Sequence, residues 1–251
     1  MTDSDHFAFR PRRLGYVVIG LILAYLAYTA IRNVRIDALA RVARDKNADP
    51  SVVSKLAGYR GDRASEMLFL VAGTAPSPEN RIAAIQALVR RKDTFFVSRL
   101  SELLLPSEPL VIRKEIAGAL NQTGCPLQCV RNVLYFEERM ANGARPAEDV
   151  TAQVPRKLSQ QEMQLQNALD EVLKKNKPAL LLVLGSVYGM ASDFPSPFAI
   201  DVAERLDFRE ACPLLVHTYL SINDQVRASP EYANVVAAVQ VLQCPGLQAP
   251  H

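Results

Sequence analysis

The sequence predicts an all-α protein, an α-solenoid of helical hairpins preceded by a single transmembrane helix. Three observations predict it. An uncharged run of 18 residues lies near the N-terminus, a helix start built from Ser and Pro recurs along the chain, and apolar residues follow each start at helical spacing. Gly occurs 11 times and Trp not at all, against a Gly-rich β-fold, while a hydrophobic fraction of 49% belongs to a globular chain. At 251 residues there is room for one core and an appendage.

Residues 1–13 make a short basic tail. Residues 14–31, LGYVVIGLILAYLAYTAI, follow without a charge. As a helix they reach about 27 Å, close to the thickness of a hydrocarbon core. Arg10, Arg12 and Arg13 precede the run and Arg32 and Arg35 follow it; Tyr16 and Tyr28 lie near its ends, where amphipathic rings favour the interface. The alternatives are a buried core helix and a cleaved signal peptide. A cleavage site needs small residues that neither Ala27-Tyr28-Thr29 nor Tyr28-Thr29-Ala30 supplies, so the run reads as the uncleaved signal anchor of a single-pass membrane protein.

Within the anchor, Gly20, Ala24 and Ala27 form a stripe of small residues that permits close helix packing and a homo-oligomer, although Gly and Ala are common in membrane helices. Beyond it, Ile31, Val34, Ala38 and Val42 keep helical spacing, which predicts a helical stalk over residues 32–49. Counting Arg32, Arg35, Arg41, Arg44 and Lys46 against the three arginines of the tail points the body inward. The RPRR cluster beside the membrane holds a short tail in the cytoplasm, and it tips the expectation toward an exported body.

The sequence pI of 8.7 invites a nucleic-acid reading. Residues 1–46, however, hold 8 of the 29 Lys and Arg but only 4 of the 26 acids, which leaves the body with 21 basic against 22 acidic residues. A nucleic-acid binder concentrates cations on its folded domain, so nucleic acid is not the expected partner.

The body begins with helix starts at Ser77-Pro78-Glu79, Ser107-Glu108-Pro109, Ser196-Pro197 and Ser229-Pro230-Glu231. Ser caps free N–H groups, Pro lacks an N–H that would go unpaired there, and Glu complements the positive end of the dipole. Ile82, Ile85, Leu88 and Val89 follow the first start, Ile112, Ile116, Ala119 and Leu120 the second, Ile200, Ala203 and Leu206 the third, and Val235, Val236, Val239 and Leu242 the fourth. Each set gives a helix one apolar face. Arg81 to Leu88 and Arg113 to Leu120 superimpose at an offset of 32 residues. Partner helices are expected over 64–72, 94–105 and 209–222.

The segments SPENRIAAIQALVRRKD and PSEPLVIRKEIAGALNQTG resemble second helices of HEAT repeats, each preceded by a shorter partner helix. The resemblance covers residues 50–140 well and 178–244 loosely, within a second set of HEAT-like hairpins over residues 159–244. It implies a HEAT-like solenoid whose second helices line a concave face, with protein binding as the main activity. Arg81 and Arg113, equivalent in neighbouring repeats, become candidates for a basic ladder along that groove; the alternative is that each pairs with an acid of the next repeat and supports stacking.

Regularity fails over residues 141–158, an insertion loop with two prolines and mixed charge. Ser159 to Glu162 then forms a capping box ahead of Leu165, Leu169, Val172 and Leu173, and residues 245–251 form a tail.

Chemistry is sparsely marked. Cys125 and Cys129 lie one turn apart at a helix start, and Cys212 and Cys244 are placed to meet across a hairpin. Two disulfides, which imply an exported body, and four thiols, buried or merely free, are both open readings. Zinc is disfavoured because there is no CxxC pair and His217 is the only His in the body's helices. His217 reads as a helix-face histidine, and Glu137-Glu138 and Lys174-Lys175 as solvated faces. Asn121-Gln122-Thr123 is a glycosylation sequon. No phosphate loop, metalloprotease motif or nucleophile elbow is present, so no catalytic, cofactor or metal residue is assigned. The expected function is a membrane-anchored scaffold or assembly factor, with a groove enzyme of lyase type and a structural membrane oligomer as alternatives.

Overall fold

The computed structural model describes residues 11–142, 158–190, 196–221 and 230–245. Most of the basic tail, most of the insertion, Ser229 and residues 246–251 lie outside the described residues. Every described element is helical, and no strand occurs among the described residues.

Helix α1 (Pro11–Ala43) is one unbroken rod of 33 residues. Its segment from Gly15 is long and apolar enough to cross a membrane, and no residue in the most apolar window of that segment is buried. Beyond residue 31 its character changes. Ile36, Ala40 and Ala43 are fully buried against the body. The helix continues past the apolar run to Ala43, and one face of these turns is core: a second apolar stripe lies opposite Val34, Ala38 and Val42, which stay exposed. The end of α1 is tied down by a buried Asn80, whose Nδ2 donates to the carbonyls of Ala43 and Ala48 at 3.1 Å each. The Ala43 carbonyl would otherwise be among the orphans of a helix terminus, and the Ala48 carbonyl belongs to the connection to α2.

The remaining helices come in pairs. α1 packs on α2 (Ser51–Ala57), and α3 (Asp62–Thr74) on α4 (Pro78–Arg90). α5 (Thr94–Arg99), continued by a 3₁₀ turn over Leu100–Leu103, packs on α6 (Leu110–Thr123). α7 (Leu127–Ala141) is followed by α8 (Gln160–Lys175), α9 (Lys177–Ser186) by α10 (Pro197–Arg205), and α11 (Cys212–Ser221) packs on α12 (Pro230–Val241). Second members touch one another in turn: α2 meets α4, α4 meets α6, α6 meets α8, and α10 meets α12. First members do the same, α1 with α3 and α7 with α9.

Local chemistry explains the ends. Ser77 Oγ accepts from the Asn80 N–H, and Ser159 with Glu162 forms the expected capping box. Ser107 does not cap: α6 starts at Leu110 with Pro109 as its N-cap, and Glu108 is engaged elsewhere. Three second helices close alike. Lys92, Asp207 and Gln243 each adopt positive φ two residues past the end of α4, α10 and α12. The next N–H then reaches back five residues, Asp93 to Leu88, Phe208 to Ala203 and Cys244 to Val239, satisfying a terminal carbonyl. The repeat is therefore written into loop geometry as well as into apolar spacing.

Candidate functional site

Arg81 and Arg113 do not form an open ladder, because both are 8% exposed. Arg81 Nε donates to the Ala72 carbonyl at 2.7 Å and its Nη1 pairs with Glu108 at 2.6 Å, so it links α4 to the entry of α6. Arg113 lies 5.8 Å from the Phe136 ring centre and contacts Met140 Sδ, with its Nε unpartnered. Burial pulls its pKa down, against the pull of Glu162 and Glu108. Phe136 and Met140 cover the Arg113 guanidinium, while Arg81 braces α4 against the entry of α6 through polar partners.

The cysteines meet in the pairs that spacing allows. Cys125 bonds to Cys129 and Cys212 to Cys244, with Cα separations of 5.2 and 5.3 Å. The second bridge joins the first residue of α11 to the closing turn of α12. Gly20, Ala24 and Ala27 are all exposed, and nothing lies within 4 Å of a Cβ built on Gly20. His217 is exposed on α11, and no group of three metal-ligating side chains exists among the described residues.

Two features went unread in the sequence. Glu137 is no solvated face: it is 5% exposed and accepts from Arg205 Nη2 at 2.7 Å. Asp170 of α8 binds Nη1 of the same arginine, so three helices share one cation and two acids. Burial raises the Glu137 carboxyl to about 7, offset by Arg205 and reinforced by Asp170. Asp170 is also raised, by burial first.

The second feature is a groove of about 710 Å³ beside it, lined by Gln128, Arg131, Asn132, Tyr135 and Glu138 of α7, Val187 and Tyr188 past α9, and Ser196 at the entry to α10. Tyr188 Oη donates to Glu138 Oε2 at 3.2 Å, and burial together with that carboxylate raises the Tyr188 pKa. Gln128 Nε2 donates to Asn132 Oδ1 at 3.1 Å, and Asn132 Nδ2 to Ser101 Oγ at 3.0 Å, which fixes the floor. Tyr135 is 56% exposed, with the Arg139 guanidinium 5.7 Å from its ring centre. The faint sequence signal was Arg131, Tyr135 and Arg139 at i, i+4 and i+8, one face of a helix.

A groove with aromatic walls and a few convergent polar groups is a shape that can hold a ligand. No family model matches the chain, and no curated protein and no solved structure matches it.

Proposed function

We propose that this chain is a membrane-anchored interaction scaffold whose body is a HEAT-like α-solenoid held on the extracytoplasmic side. The observation that carries the reading is the continuity of α1: the same rod that is apolar enough to cross a membrane ends inside the body, with Ile36, Ala40 and Ala43 buried. No flexible linker separates anchor from body, so the α7–α9 groove rides at a fixed attitude to the bilayer. The repeated pairing of helices and the shared closing turns support the solenoid. Both disulfides support the compartment, since such bonds persist where the surroundings oxidise.

Anchoring raises the local concentration of a partner without any new contact. The test is in-cell photo-crosslinking from several exposed body positions, followed by purification through the full-length chain. The reading expects one reproducible set of protein adducts, lost when three residues are inserted at the Ile31–Arg32 boundary to rotate body against anchor. A chain that yields no adduct from any face contradicts it.

A second reading has its own observation. Gly20, Ala24, Ala27, Ile31, Val34 and Ala38 alternate at four- and three-residue steps on the face of α1 turned away from the body, and all are exposed. Two copies in one membrane are parallel, and this stripe would pair them. Disulfide trapping through Val34→Cys tests it, with Arg35→Cys as the off-face control; equal trapping of both removes the reading.

A further inference from the structure

We propose that the groove between α7 and α9 docks a short, extended, acidic segment of a partner protein. The proposal rests on the scaffold reading and names the chemistry of its partner.

Charge points to the sign of the ligand. Glu138 is engaged by Tyr188, whereas Arg131 has no hydrogen bond or ion pair among the described residues and is exposed in the same groove. One turn on either side of Tyr135 stand Arg131 and Arg139, two cations against the one carboxylate of Glu138, so this face carries a single positive charge in excess. A guanidinium presents a planar fork that fits a carboxylate through two parallel bonds.

Shape points to a peptide. From Gln128 to Glu138 the groove wall runs about 15 Å along α7, the length of four to five residues of extended chain at about 3.3 Å each. Half-exposed Leu127, Tyr135 and Val187 interleave with the arginines, offering apolar contacts beside the charged ones. Tyr and Arg are the side chains that most often anchor such contacts. Nucleic acid would need a longer run of cations than two, and a bilayer offers no reason for a groove with a fixed amide floor.

The experiment selects random octapeptides displayed on phage against the full chain in nanodiscs of zwitterionic lipid. The expected result is enrichment of sequences carrying Asp or Glu next to an apolar residue. The strongest peptide, synthesised and labelled, should weaken about tenfold or more on Arg131→Gln, on Tyr135→Ala, and on replacing its own carboxylates by amides, and should weaken with added salt. Both residues are exposed, and an unchanged helical melting curve shows that the variants fold. The proposal is overturned by an absence of consensus, by a consensus without acids, by an affinity that Arg131→Gln leaves unchanged, or by displacement with phosphatidylglycerol vesicles or an oligonucleotide at lower concentration than unlabelled peptide. If the groove fails while photo-crosslinks from other faces persist, the docking site falls and the scaffold reading stands.

Discussion

Arg81 and Arg205 both reach from one helical pair to the next, and they meet different company. Arg81 finds a single carboxylate, Glu108, and a backbone carbonyl, so its charge is balanced one to one. Arg205 finds two buried acids, Glu137 and Asp170, and its Nε lies 3.9 Å from the exposed Asp201, so acids outnumber the cation and Glu137 is the most deeply buried of them. Burial raises the Glu137 carboxyl beside Arg205 to about 7. The difference teaches that the junction of α4 and α6 is braced by a matched ion pair, whereas the junction of α7, α8 and α10 buries a surplus of acid.

The sharpest way to break the comparison is Arg205→Met. It leaves two buried acids without their cation and should cost about 3–5 kcal/mol, against a smaller loss for Arg81→Met, whose partner is closer to solvent. Denaturant unfolding of the full chain at neutral pH measures both, and equal losses would refute the distinction.

Next in size are the disulfides. Cys212–Cys244 closes 32 residues and Cys125–Cys129 only 4. On the chain-entropy relation, replacing the first pair by Ser should cost about 3–4 kcal/mol and the second about 2. Thermal melts of the two double variants check the order.

The pH profile follows. Glu137 titrates near its ordinary value of 4.5 in the unfolded chain and at about 7 in the folded one. Its contribution is complete below pH 4.5 and is lost as pH rises through 7, because the unfolded chain gives up the proton first. The loss amounts to about 3 kcal/mol, and Asp170, also raised, acts in the same direction. Glu137→Gln should flatten stability across this window. A wild-type profile that climbs with pH would contradict the assignment.

Smallest is the closing turn. Lys92 and Gln243 sit at φ 55° and 52°, where a Cβ is disfavoured. Lys92→Gly should gain up to about 1 kcal/mol, which differential scanning calorimetry resolves.

The helices were legible because their signals are local. Leu165, Leu169, Val172 and Leu173 share one face, and all are buried; Ser159 and Glu162 announce their helix within four residues. What escaped depends on contacts far apart in the chain. Glu137 finds Arg205 across 68 positions, and Tyr188 finds Glu138 across 50, distances at which a single sequence carries no pairing signal. Arg81 and Arg113 left two readings open for a related reason: periodicity says which residues are equivalent, but only distant contacts decide which way each turns, Arg81 to Glu108 and Arg113 to Phe136 and Met140. The helical continuation past residue 31 was legible, but α1 carries two apolar stripes there, and only the packed structure says that Ile36, Ala40 and Ala43 are the buried one.

The central claim, a body fixed outside the membrane by one rigid helix, is tested most directly by protease treatment of a C-terminally tagged chain in right-side-out vesicles, read on non-reducing gels. The account predicts digestion of the body without lysis, with the α11–α12 fragments still joined through Cys212 and Cys244. Protection until lysis, with all four cysteines open to alkylation, would contradict it.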